Sequence, residues 1–386
     1  MSLYATELLL VLIFILSGRR QFSQGSQKPI QLAALLVIPV LVSVIWAVNQ
    51  DLAVAQFLHI GFAMMLFIML LDKRVDLKWV MMSFVAGLLI QVGLGAVQVA
   101  SGNSPASTWL GMAAHDATRL GEAVTGFPTG ERTLRAHGGF SHPNVLGGYL
   151  AVAIVAVLGF WQAAKFEAQR VTLAILGAVL LVGLFLTFSQ SAWLGLIMAF
   201  IVGAMVALMK NTARARILVV PVAFLIIGGA FAYMLITGTP SSPIDATIEL
   251  EKRSMVDRVE EYQEYFTVMD TPQEWIFGHG SGNYMLAVAD VYPGRYWWQY
   301  RPIHNVPLMV VGEIGLLGLV FVLIWSSTID KINFARFPNR EAVTAFMMGN
   351  VILFILFFDH YLWTSWAGLA LVALVMALTV RMGEKD

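Results

Sequence analysis

Long apolar runs alternate with short polar breaks along most of this chain. Windows of about 19 residues predict eleven membrane spans. They fall near 3–18, 30–48, 52–71, 79–100, 144–164, 171–188, 191–209, 217–237, 306–328, 342–358 and 361–380. The first is the weakest, because it is short and carries Glu7. The breaks at 49–51, 189–190 and 359–360 are tight hairpins, whereas 101–142 and 238–305 are long loops. In the second loop the pattern turns helical over about 245–270, where Met255, Val259, Tyr262 and Phe266 recur at helical spacing and predict one apolar stripe. The fold class is all-α: a polytopic transmembrane helix bundle of about 11 spans, taken as a single integral membrane domain over 1–386, with a long, partly helical outer loop.

Charge gives this pattern a direction. With the N-terminus outside, the inner segments hold 16 of the 24 Lys and Arg residues, and every inner segment has some. The remaining eight lie in the two long outer loops, and the tight outer hairpins have none. Positively charged residues favour the cytoplasmic side, so the C-terminus is expected in the cytoplasm and both long loops outside it. On this topology six of the seven histidines are extracytoplasmic, His59 being the exception. The first residues lack the basic region of a cleaved signal peptide.

Composition narrows the chemistry. The chain is 58% hydrophobic and 12% charged, about half the charge of a soluble domain, as a multi-pass membrane protein requires. It has no cysteine, so disulfides and thiolate nucleophiles are excluded, and zinc and iron–sulfur sites lose their commonest ligand. Net charge is zero, which suggests no nucleic-acid partner. The inner loops are short and contain no phosphate-binding Gly-x-x-x-x-Gly-Lys-Ser/Thr loop. Activated groups must therefore come from a partner in the lipid bilayer or from a gradient.

The candidate chemistry gathers in the outer segments. Loop 238–305 holds ten Asp and Glu against five Lys and Arg, so an anion there would be held by a few aimed arginines rather than by bulk charge. Arg258 lies beside the apolar stripe, and an arginine on a buried face needs an anionic partner. Asp257, Glu261 and Glu264 offer a salt bridge; a phosphate would suit the planar guanidinium equally. His304-Asn305 opens the ninth span, with Glu313 about two turns inside it. An imidazole titrating near neutrality can accept a proton from a hydroxyl, and an ionisable group at membrane depth is a functional candidate. Capping is the alternative for His304, and close helix packing for the Gly312, Gly315 and Gly318 ridge. Gly278-His-Gly-Ser-Gly-Asn283 reads as a tight turn that also lets backbone N–H groups approach an anion. The aromatic and basic stretch 292–302 fits the membrane interface better than sugar stacking. In loop 101–142, Arg135 precedes Gly-Gly-Phe-Ser-His142-Pro-Asn144; Pro143 suits a first helical turn, so His142 or Asn144 would cap the fifth span or face a phosphate. Asp359-His360 orients a catalytic group or closes a hairpin, and His115-Asp116 is expected at the surface.

Four of these segments, in this order, resemble signatures of the O-antigen ligase and O-antigen polymerase superfamily. They are Arg135 to Leu150, Thr187 to Gly195, Asp257 to Tyr284, and His304 to Gly318, and their order and spacing span about 135–320, half the chain. The resemblance implies transfer of a glycan from undecaprenyl pyrophosphate to a hydroxyl of a glycolipid or glycan acceptor. It further implies an inverting reaction at the outer face of the bacterial cytoplasmic membrane, with no metal and no nucleotide cofactor. It assigns Arg258 to the pyrophosphate and His304 to the acceptor hydroxyl, with Asn305 orienting that end and Arg135 as a second cation. His142, Asn144, Gln190 and Glu313 complete the expected substrate-binding set. Two departures stand out. The second signature usually reads Ser-Arg, with that arginine on the diphosphate; this chain has Gln190, leaving Arg135, Arg253 or Arg301 to substitute. Ligases of the family also typically have twelve spans. Ligase and polymerase differ mainly in acceptor, and a transporter or channel is the rival from another class, expected to show paired midplane charges and symmetric broken helices.

Overall fold

The computed structural model describes residues 5–108, 111–119, 121–126, 132–209, 244–296, 299–335 and 339–382. The eighth expected span, 217–237, and the Trp297-Trp298 pair lie outside the described residues, and nothing is described of the Arg253 side chain. Among the described residues the fold is mostly helical, with two small antiparallel β pairs. Among the described residues six helices are long and apolar enough to cross a membrane: α2 (Gln24–Ser43), α3 (Gln50–Leu70), α4 (Leu77–Ser101), α5 (Pro143–Ala163), α6 (Glu167–Thr187) and α11 (Val306–Phe334). Shorter apolar helices are α1 (Ala5–Leu16), α7 (Gln190–Met209) and α14 (Trp366–Met382). This is a multi-pass membrane protein; the expected count of eleven is not fixed by these helices.

Several boundaries move for identifiable reasons. Helix α2 begins six residues before the apolar window, because Ser23 caps it by accepting from the Ser26 N–H and carries a polar first turn into the helix. Residues 44–48, apolar and expected within that span, form with Asn49 a connector after it; Gly280 packs so closely on Ala47 that a Cβ would overlap it. The last span is broken at Ser365 into α13 (Tyr361–Thr364) and α14. There the Ser365 hydroxyl accepts from the Gly368 N–H, and Gly368 sits against the Tyr361 carbonyl where no side chain would fit. Glu7, the weak point of the first span, is buried in α1 with a carboxylate oxygen 3.4 Å from His59 Nε2 of α3.

The chain divides into two compact units. The first comprises residues 1–77, 257–337 and 356–386. In it α11 packs on α2 and on the short α9 (Pro272–Phe277), and α14 packs on α3. Helix α11 is kinked at Gly315, where φ is +73°. The kink frees the carbonyls of Gly312 and Glu313, which accept from the N–H groups of His279 and Gly280 at 2.9 Å each. The glycine-rich turn 278–283 is thus a clamp on α11, and those two donors are not available to an anion. The glycine ridge works as close packing: Gly312 meets Tyr284, and at Gly315 a Cβ would overlap the Ile276 carbonyl.

The second unit comprises residues 78–256 and 338–355. Helix α5 is its centre, packed on α6 and α7 and buried at nearly every position from Val145 to Val157. A helix apolar all round belongs inside a bundle. Gly159 and Gly195 meet Thr344 and Val351 of α12 (Arg340–Leu356) at distances too short for a side chain. The long loop of this unit is held by β1 (Asn103–Ser104) with β2 (His115–Asp116), and β3 (Val124–Gly126) with β4 (Arg132–Leu134).

Candidate functional site

The helix of the second long loop, α8, spans Ile244–Val268 against an expected 245–270. Its inward face from residue 257 onward differs from the one the apolar pattern predicts. Val259 and Phe266 are 58% and 57% exposed, while Glu261, Tyr265 and Val268 are buried. Burial here follows Tyr265, which packs on Tyr284 and Trp275, and not the spacing of the apolar residues. Tyr265 anchors the buried face, with its ring centroid 5.7 Å from Tyr284 and 6.0 Å from Trp275. That packing fixes Glu261 one turn earlier, pointing inward.

Glu261 meets His304. Its Oε2 accepts from His304 Nδ1 at 2.8 Å and from the His304 backbone N–H at 3.4 Å. A carboxylate can only accept here, so the proton sits on Nδ1 and the Nε2 lone pair is left for other work. The second carboxylate oxygen, Oε1, is buried without a hydrogen-bond partner among the described residues. Neighbours on both sides lock His304 in place. Asn305 caps α11 by accepting from the Leu308 N–H at 3.0 Å, and its Nδ2 donates to the Tyr262 hydroxyl at 3.2 Å. The His360 ring lies edge-on to His304 with centroids 5.1 Å apart, and the Asp359 carboxylate is beside it.

These neighbours set the charge. Burial opposes protonation of His304, but the Glu261 hydrogen bond and the charges of Glu261 and Asp359 outweigh it, while Arg258 works against them; the imidazole titrates above its usual value. His360 goes the other way: burial pushes it down to about 4, so it stays neutral. Its Nδ1 is hydrogen-bonded to Thr364 Oγ1 at 2.8 Å.

Arg258 is half-buried and sits near enough to His304 to influence it. The three acids that could neutralise it are all engaged elsewhere. Asp257 pairs with Arg301, Glu264 with Arg295 at 2.5 Å, and Glu261 with His304. Among the described residues Arg258 has no ion-pair or hydrogen-bond partner. Of the two readings left open for Arg258, the salt bridge to one of these acids is not formed. A cavity of about 170 Å³ is lined by Asp257, Glu260, Glu261, Glu264, Arg295, Gln299 and Arg301; neither Arg258 nor His304 lines it.

Glu313, expected as a substrate-binding candidate, is 2% exposed within α11 and accepts from Trp363 Nε1 at 2.8 Å and from the Gly282 backbone. Both contacts tie α11 to neighbouring segments of the same unit, so packing describes its geometry.

The remaining expected residues lie in the second unit. Arg135 donates from Nε to the Thr187 carbonyl at 2.8 Å and from one terminal nitrogen to Asn144 Oδ1 at 2.7 Å and the Phe188 carbonyl at 3.2 Å. It thereby caps the C-terminus of α6, where Phe188 is the one non-glycine residue with positive φ (+49°) among those described. Gln190 opens α7, exposed, in the hairpin whose carbonyls Arg135 holds. His142 caps α5, its Nδ1 accepting from the Asn144 N–H at 3.1 Å. Arg301, the other possible substitute at the second signature, is paired with Asp257.

His115 corrects a simpler expectation. It is not a surface residue: its Nδ1 lies 2.9 Å from Glu122 Oε2, and its ring stacks on His137 at 4.2 Å. Burial, with the charges of His115 and Arg135, lowers His137 to about 4, and its Nδ1 donates to the Arg135 carbonyl at 2.7 Å.

With this geometry in view, comparison with known families is informative. Residues 175–323 match the family model described as O-antigen ligase. The match supports the O-antigen ligase and polymerase superfamily for this chain. No curated protein matches the sequence. The O-antigen ligase segment takes in Gln190, Arg258, Glu261, His304, Asn305 and Glu313, while Asp359 and His360, which flank His304, follow it. Arg135, His142 and Asn144 precede it. Within the segment sequence reasoning missed the part played by Glu261: it stood only as a salt-bridge partner for Arg258, and its partner His304 is 43 residues away, beyond any helical period.

Proposed function

We propose that this chain is an O-antigen ligase-like glycosyltransferase. It moves a glycan from a polyprenyl-pyrophosphate donor to a hydroxyl of a glycolipid or glycan acceptor at the extracytoplasmic face of the bacterial inner membrane, with inversion and without a metal in the reaction. The observation that carries the reading is the pairing of an oriented imidazole with an uncommitted cation. Glu261 holds His304 while Arg258, next to it, has no acid partner among the described residues.

In this reading His304 Nε2 accepts the proton of the acceptor hydroxyl as its oxygen attacks the anomeric carbon. Glu261 holds the tautomer and stabilises the imidazolium that forms, as the third member of a nucleophile–base–orienter arrangement does. Arg258 stabilises the negative charge that grows on the departing pyrophosphate, where two parallel N–H···O bonds suit a phosphate. Asn305 is a positioning residue, since capping α11 fixes the backbone from which His304 projects. Arg135 is proposed as a supporting residue. Its three bonds to Asn144 and the α6 carbonyls fit a helix cap better than a donor clamp, and Arg301 is paired with Asp257, so neither of these two compensates for Gln190.

The reading is tested with purified protein, a polyprenyl-pyrophosphate glycan and an acceptor glycolipid. His304→Ala is expected to lose transfer while keeping donor binding and protein level, and Arg258→Ala to weaken donor binding. Full transfer by His304→Ala, or unchanged donor affinity in Arg258→Ala, overturns the respective role. Deletion of the gene separates the acceptor classes: accumulation of full-length lipid-linked chains marks a ligase, and accumulation of single repeat units a polymerase.

A further inference from the structure

Few apolar side chains are buried among the described residues of the loop that carries β1 to β4. Among its described residues outside α4 and α5, the buried hydrophobic side chains are Ala117, Leu134 and Ala136. Its strands are two or three residues long, and the chain has no cysteine to cross-link them. Yet three donor side chains from three separate stretches converge within it: His115 of β2, Glu122 before β3, and His137 after β4. One ring nitrogen of each histidine and one carboxylate oxygen of Glu122 all lie within 4.8 Å of one another. His115 and Glu122 are 13% and 16% exposed, and His137 is 1% exposed, so these are not solvated surface groups that happen to meet.

The orientation of His137 adds to the case. Its Nδ1–H donates to the Arg135 carbonyl, which leaves the lone pair on Nε2. A metal-ligating histidine commonly has its other ring nitrogen held in this way by a backbone carbonyl. Two imidazoles and one carboxylate form a donor set suited to a borderline divalent transition metal, and to Zn²⁺ in particular. In a tetrahedral zinc site the donors stand about 3.4 Å apart and the metal lies in the plane of each imidazole, so the stacked His115 and His137 rings turn out of their stack when both ligate.

We propose that His115, Glu122 and His137 form a structural site for a divalent transition metal, Zn²⁺ being the natural occupant, which fastens loop 101–142. Three protein ligands leave a fourth position for water. The metal has no part in glycan transfer, so this site and the His304 constellation stand or fall separately.

The test uses the full chain, purified in detergent with an affinity tag that contains no histidine and stripped with a chelator. Zn²⁺ alone is titrated against a chromophoric chelator, and Co²⁺ is used as a spectroscopic reporter. Wild type is expected to take up about one Zn²⁺ per chain and to give the intense visible bands of four-coordinate Co²⁺. Glu122→Gln is the decisive variant. The amide keeps the size and can still accept from His115, so a purely hydrogen-bonded cluster tolerates it, whereas a metal site loses an anionic ligand. It and His115→Ala are expected to weaken Zn²⁺ binding at least about tenfold. Loop 101–142 of Zn²⁺-loaded wild type is expected to resist limited proteolysis better than the stripped form, with no such gain in either variant. His360→Ala, which removes a member of the other histidine cluster, is expected to bind Zn²⁺ as wild type does. The proposal is overturned if wild type binds no Zn²⁺, if Glu122→Gln binds it equally well, or if binding is lost in His360→Ala instead.

Discussion

Each compact unit of this protein contains a histidine bonded to a glutamate with a second imidazole against it, and the two clusters differ in what surrounds them. In the first, His304 is flanked by the carboxylates of Glu261 and Asp359, which raise its pKa, and by Arg258, which no acid engages among the described residues. In the second, burial and the charges of His115 and Arg135 drive His137 down to about 4, and the nearby arginine is tied to Asn144 and the carbonyls closing α6. In both clusters burial lowers the second imidazole, His360 or His137, to about 4, so the difference between them lies at the arginine. The comparison teaches that the state of the neighbouring arginine, committed or not, separates a site suited to an anionic leaving group from one suited to holding a loop.

The largest expected effect breaks the first cluster at its centre. His304→Ala should lower transfer by about two to four orders of magnitude, the range for removal of a general base, measured as single-turnover glycan transfer. The two arginines should then part company. Arg258→Ala should weaken donor binding roughly tenfold to a hundredfold, as loss of hydrogen bonds to a charged group implies. Arg135→Ala should leave donor affinity within a few-fold and lower stability by about 1–2 kcal/mol through loss of the α6 cap, read by thermal unfolding. If Arg135→Ala costs the donor more than Arg258→Ala, the contrast between the arginines is reversed, and the Gln190 hairpin becomes the phosphate site.

How much of this was legible in the sequence depended on the range of the physical signal. Spans α3, α4, α5 and α6 were readable because an apolar run of that length has few other uses. The start of α2 was not, since Ser23 carries polar residues into the helix. The buried face of α8 was misread because Val259 and Phe266 are exposed, while a carboxylate, Glu261, turns inward to meet an imidazole. Arg258 and His304 stood out as residues, yet the engagement of Asp257, Glu261 and Glu264 by other partners, which leaves Arg258 without an acid, is a property of tertiary structure. Capping by His142 was one of two open readings, and the hydrogen bond to the Asn144 N–H shows that geometry.

A smaller effect guards against the transporter reading. The contact of Glu7 with His59 is the sort of intramembrane pair that a proton path would use. On the present account it is structural, so Glu7→Gln should reduce stability by about 1–3 kcal/mol and leave glycan transfer unchanged. Loss of transfer at normal protein level would point to a coupled path instead.

The central claim, that Glu261 holds His304 as the base, is tested most directly by the pH dependence of transfer in wild type and in Glu261→Gln. A base must be deprotonated to act, so activity rises as pH passes upward through the His304 pKa. Glu261 raises that pKa. Its replacement by a neutral amide is therefore predicted to slow transfer and to move the acidic limb of the profile to lower pH. An acidic limb that stays where it is, with transfer undiminished, would contradict the account.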